Sequence, residues 1–244
     1  MSRGDEFIMK TLGSFIFAAF FVLLGFNTRR GADPSTNWFS VPHRNLCVTE
    51  GAIEQASGNR MSVSVPKMRA FVTVATAQDV EARFTYLGKT AGEEPLGSGE
   101  MRRQFGLKLR ARDACNLVYA MWRIEPETKL VVSVKSNPGQ HTSLECANRG
   151  YRNIQPVHSR PVPVLHPGVT HTLRAELNEA EMRVYADNQL VWEGNVTSEA
   201  GRLEGPVGIR SDNAKLEIEL RAGQSSGLHP DHQLSCRPGS GEVE

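Results

Sequence analysis

Apolar and polar residues alternate along most of the chain between residues 61 and 221. Met61, Val63 and Val65 alternate with serines. Val80, Ala82, Phe84 and Tyr86 alternate with Glu81, Arg83 and Thr85, and Phe105, Leu107 and Leu109 alternate with Lys108 and Arg110. Leu173, Ala175 and Leu177, then Met182, Val184 and Ala186, then Leu216, Ile218 and Leu220 repeat the pattern. A period of two sends successive side chains to opposite faces of a strand. Ala70 to Thr76, Leu117 to Ile124, Leu130 to Val134 and Leu190 to Trp192 read as further strands. Glu125-Pro-Glu-Thr128 and Asp187-Asn188 read as turns, since Asp and Asn tolerate positive φ. No long stretch has a helical period. The pattern predicts an all-β chain folded as an antiparallel two-sheet β-sandwich.

Irregular stretches divide the chain. Residues 1–32 read as a signal peptide or N-terminal membrane anchor, 33–45 as a linker, 46–222 as the sandwich domain and 223–244 as a flexible tail. The apolar run from Phe15 to Phe26 has the length of a signal-peptide core and is short of the roughly 20 residues a spanning helix needs. Arg29-Arg30 and the lack of a small-residue cleavage site keep the anchor open as an alternative. Either way the domain is expected to be exported. Gly88 to Glu100 is a loop, and Asn137 to Pro167 is a long crossing segment with short strand pieces.

Cysteine usage fits export. Cys47, Cys115, Cys146 and Cys236 form no C-x-x-C pair, so zinc-ribbon and thioredoxin-like chemistry has no support. Two disulfides are expected, with three connectivities open. Cys115–Cys146 with Cys47–Cys236 is preferred, because a sandwich often brings its chain ends together. Four free thiols are the alternative.

Charge narrows the partners. From residue 33 onward 24 Lys and Arg face 25 Asp and Glu. A near-neutral body has no broad field for phosphates, so nucleic acid is not an expected partner. A membrane enters only through the N-terminal segment.

Three runs resemble the concanavalin A-like lectin/glucanase jelly roll. They are His171-Thr-Leu-Arg-Ala-Glu-Leu177, then Met182-Arg-Val-Tyr-Ala-Asp-Asn-Gln-Leu-Val-Trp-Glu-Gly194, then Gly205-Pro-Val-Gly-Ile-Arg-Ser211. Asn188 stands where that family usually has glycine. Val80-Glu-Ala-Arg-Phe-Thr-Tyr86 and Phe105-Gly-Leu-Lys-Leu-Arg110 resemble paired strands of its 3-keto-disaccharide hydrolase and laminin-G-like branch. The resemblance implies a jelly roll, and this superfold hosts binding modules and enzymes alike.

Catalytic signatures are sparse. Glucanases of that family place paired carboxylates on one strand, and no Glu here has Asp two residues on. Glu217 and Glu219 share a face with Lys215 and Arg221, as a solvated face does. There is no G-x-S-x-G elbow, H-E-x-x-H or phosphate loop. His229 and His232 sit in the tail, Asn195-Val-Thr197 is a glycosylation sequon, and no calcium-loop spacing is present. No metal or other cofactor is expected.

The best binding candidates lie on the middle strands. Val118, Ala120, Trp122 and Ile124 should face the core, leaving Tyr119, Met121 and Arg123 on the other face. Tyr119 and Arg123, with Arg83, Arg110 and Lys135 on strands taken as neighbours, are expected to line a groove for a glycan. The function expected is non-catalytic carbohydrate binding or adhesion. The alternatives are a sugar-active hydrolase of the 3-keto-glycoside type and a structural protein-interaction domain.

Overall fold

The computed structural model describes residues 37–74, 78–196, 200, 202–223 and 236. The apolar run at 15–26, the sequon threonine and the two tail histidines lie outside the described residues. In chain order the strands are β1 (Trp38–Val41), β2 (Leu46–Glu50), β3 (Glu54–Gln55), β4 (Met61–Val63), β5 (Lys67–Val72) and β6 (Asp79–Lys89). Then come β7 (Arg103–Leu109), β8 (Leu117–Glu125), β9 (Lys129–Lys135), a single helical turn α1 (Ser143–Cys146), β10 (Tyr151–Asn153) and β11 (His158–Ser159). The chain closes with β12 (Thr170–Asn178), β13 (Glu181–Ala186), β14 (Gln189–Asn195), β15 (Gly208–Asp212) and β16 (Ala214–Gly223).

These strands form two antiparallel sheets packed as a jelly-roll sandwich. One runs β11-β14-β13-β12-β6-β16-β4-β3, with β1 pairing the far end of β16. The other runs β10-β9-β8-β7-β15-β5-β2. The apolar parity of each strand supplies the layer between them: Phe84 and Leu173 from one sheet, Phe105, Leu107 and Trp122 from the other. Phe84 lies 4.8 Å from Phe105 and meets Trp122 edge-on at 5.8 Å between ring centres. Trp122 donates its indole N–H to the Pro163 carbonyl at 3.3 Å, so its polar edge is satisfied inside the core.

The Asp187-Asn188 turn forms as expected, with φ of 49° and 63°. The linker expectation fails at Trp38–Val41, where four residues form β1 against β16. Val41 is fully buried and Trp38 receives the Arg221 guanidinium on its ring at 5.8 Å. That strand is too short for alternation to stand out in a polar stretch.

The disulfides are Cys47–Cys236 and Cys115–Cys146. The first joins β2, the edge of the seven-stranded sheet, to a residue 189 positions away. Among the described residues no helix is long and apolar enough to cross a membrane.

Candidate functional site

Because Val118, Ala120, Trp122 and Ile124 are committed to the core, Tyr119, Met121 and Arg123 must face outward. Register brings Gln104, Gly106 and Lys108 of β7 beside them, and Arg210 and Asp212 of β15 beyond. Val131 and Ser133 of β9 stand on the other side. Leu96, Ser98, Glu100 and Arg102 rise over one flank, and Asn148, Tyr151 and Asn153 over the other. The result is an open groove of about 270 Å³ on the outer face of the seven-stranded sheet.

Gly106 lets the floor close up. A Cβ there would stand 2.3 Å from the Ala120 carbonyl oxygen and 2.6 Å from the Met121 sulfur, so only glycine lets Met121 cross it.

Both flanks are tied down. Asn213, at φ 55° in the turn between β15 and β16, accepts from the Glu94 N–H at 2.9 Å. Its amide donates to the carbonyls of Glu94 and Arg102 at 2.8 and 3.0 Å. On the other flank Asn116 donates to the Gln140 carbonyl at 2.8 Å and accepts from the Asn137 N–H at 2.9 Å. Glu145 caps α1 by accepting the backbone N–H groups of His141 and Thr142, which with the Thr142 hydroxyl hold its pKa down to about 2. The Cys115–Cys146 disulfide fastens α1 to the start of β8. Replacing both cysteines by alanine should cost about 3–4 kcal/mol by loop-closure entropy over this 31-residue span. It should also loosen Asn148 and Tyr151, so urea unfolding and ligand affinity should both fall.

Beneath the groove lies a buried charge network. Asp212, fully buried, accepts from Arg69 Nη2 at 2.6 Å, Arg210 Nε at 2.9 Å and Gln104 Nε2 at 2.6 Å. Burial pushes its pKa up, but the charges of Arg210 and Arg69 and the donated hydrogen bonds outweigh that and bring it down to about 2. The Arg210 guanidinium also covers the Tyr119 ring at 5.0 Å. Tyr119 stacks on Tyr151 at 6.2 Å with 21° between planes, and Lys135 Nζ sits 4.9 Å over Tyr151.

Arg123 differs from its neighbours. Its side chain makes no hydrogen bond or ion pair with the described residues, and its buried Nε has no acceptor. Burial lowers its pKa, and the charge of Arg102 lowers it further.

The structure brings together some of the residues expected at a site and separates others. Tyr119 and Arg123 both line the groove. Tyr119 is buried with its ring stacked on Tyr151 and covered by the Arg210 guanidinium, so it supports Tyr151 from below. Lys135 shares the outer face but lies under Tyr151 at 1% exposure. Arg110 leaves the strand at φ 47° and donates to the Ala200 carbonyl at 2.9 Å, away from the groove. Arg83 is on the other sheet, exposed and 3.4 Å from Glu219. Glu217 and Glu219 are part of that same ladder with Arg60, at 3.2 and 3.5 Å. Sequence reasoning missed Gln104, Tyr151, Arg210 and Asp212. Alternation across Gly208–Asp212 carries the signal for two of them, since Ile209 must point inward and Arg210 and Asp212 therefore outward.

Among the described residues no three His, Cys, Asp or Glu side chains are grouped to hold a metal ion. No family model and no curated protein matches the chain. Solved structures similar in fold include the carbohydrate binding module CBM66 from Bacillus subtilis, 15% identical with a TM-score of 0.46 over 75% of this chain and 92% of that one. The metal-free Emp46p carbohydrate recognition domain is 10% identical, TM-score 0.47, over 77% and 97%. The Crh5 transglycosylase bound to NAG is 10% identical, TM-score 0.48, over 84% and 89%.

Proposed function

We propose that the protein is an exported glycan-binding domain and that the groove between Glu100 and Tyr151 is its binding site. The observation that carries this reading is the chemistry of the lining. Planar polar groups, the amides of Gln104, Asn148 and Asn153 and the Arg123 guanidinium, stand beside the part-exposed Tyr151 ring. Such groups match the hydroxyls and C–H faces of sugars. The two disulfides fit an oxidising compartment.

The carboxylates favour binding over hydrolysis. Two-carboxylate glycoside hydrolysis needs an acid and a base or nucleophile about 5–9.5 Å apart across the scissile bond. Asp212 is locked in its ionised form below the floor, and Glu100 is held by Arg102. The interaction-scaffold alternative has less support, because the outer face of the nine-stranded sheet carries the Arg60, Arg83, Glu217 and Glu219 ladder.

A glycan array probed with the full chain tests the proposal. Wild type and Arg83→Ala should bind the same glycans, and Tyr151→Ala should bind about ten-fold more weakly or worse. Binding to no glycan, or binding lost in Arg83→Ala, would overturn it.

A further inference from the structure

We infer that the ligand is an acidic glycan whose carboxylate or sulfate group seats on Arg123. This rests on the glycan-binding reading of the groove. Three guanidiniums line it, and two have carboxylates of their own. Arg210 is bonded to Asp212 at 2.9 Å, and Arg102 is bonded to Glu100, with its Nε at 3.1 Å. Arg123 has none. Two acids act on it from a distance, and both are bonded to other cations: Glu100 to Arg102 and Glu127 to Lys129.

Two polar atoms at this point of the groove are buried without partners. One is Arg123 Nε, and the other is Oε1 of Gln104, the cross-strand neighbour of Arg123. Gln104 is 1% exposed, and its orientation is set because its Nε2 must donate to the Asp212 carboxylate. Buried polar groups are almost always hydrogen-bonded in folded proteins, so a bare donor and a bare acceptor on cross-strand neighbours in the groove floor point to a ligand that reaches them. The pair has a definite complement: an oxyanion accepting from the guanidinium, next to a hydroxyl donating to Oε1. A sugar with a carboxylate or sulfate beside a free hydroxyl has both. Arg forks bind carboxylate and sulfate oxygens in the same charge-assisted, paired geometry, so the site itself accepts either anion.

The test is a calorimetric series with the full chain against uronate oligosaccharides, their carboxyl-reduced neutral counterparts of equal length, and sulfated oligosaccharides. The uronate or the sulfated set should bind about ten- to hundred-fold more tightly than the neutral set. The tighter of the two identifies the anion. Arg123→Ala should erase that preference, and Arg123→Lys should keep part of it, with thermal unfolding confirming that both variants are folded. Affinity should also fall as salt is added. Equal affinity for acidic and neutral sugars, unaffected by Arg123→Ala, would overturn the inference and leave the glycan-binding reading standing. Binding to none of the three sets would overturn both.

Discussion

Replacing Asp212 with alanine should destabilise the protein by about 3–5 kcal/mol, because it removes the carboxylate that two buried guanidiniums share. Arg69 is fully buried and Arg210 is 3% exposed, and Asp212 is the acid bonded to both. Gln104 would lose its acceptor as well. Asp212→Asn keeps the volume and one acceptor but not the charge, so its loss should fall between wild type and alanine. Urea unfolding at neutral pH checks both variants. The pH dependence follows from the same group. Its folded pKa of about 2 is below the ordinary aspartate value, so its contribution is fully present above about pH 4 and is lost as pH falls through 2. Wild type should therefore weaken over that window, and Asp212→Asn should lack this part of the acid limb.

Removing the Cys47–Cys236 disulfide should have an effect of similar size by a different route. Cross-linking residues 189 apart removes about 5 kcal/mol of chain entropy from the unfolded state in the loop-closure description. The Cys47→Ala, Cys236→Ala protein should lose up to that amount in urea unfolding. Its groove should be intact, since β2 is the sheet edge and carries no lining residue. The Cys115–Cys146 pair should behave differently, with a smaller loss of stability and a clear loss of affinity. If both double variants lose affinity equally, the role assigned to α1 and its disulfide is wrong.

The strands were legible because one parity of each is apolar. β8 is the plainest case: Val118, Ala120, Trp122 and Ile124 had to face inward, and this also put Tyr119 and Arg123 on the outer face. Alternation says which way a side chain points, but not which strands lie side by side. β6 and β7 are consecutive, yet the 90–102 segment crosses between the sheets, so Arg83 and Tyr119 end on opposite sides of the sandwich. Arg110 was misplaced because its positive φ breaks the alternation at the end of β7. Tyr151 was missed because a three-residue strand in a Pro- and Asn-rich stretch has too few residues to show a period. Arg210 and Asp212 lay inside a run that marks the fold, and their neighbours rather than their spacing give them their role.

Deuterium exchange of the full chain, with and without a saturating glycan from the array, tests the location of the site most directly. Exchange should slow at residues 96–104, 119–123 and 148–153, which form the floor and both flanks of the groove. Slowing confined to β6 and β16 on the nine-stranded sheet, or no slowing in any of the three groove segments, would contradict the account.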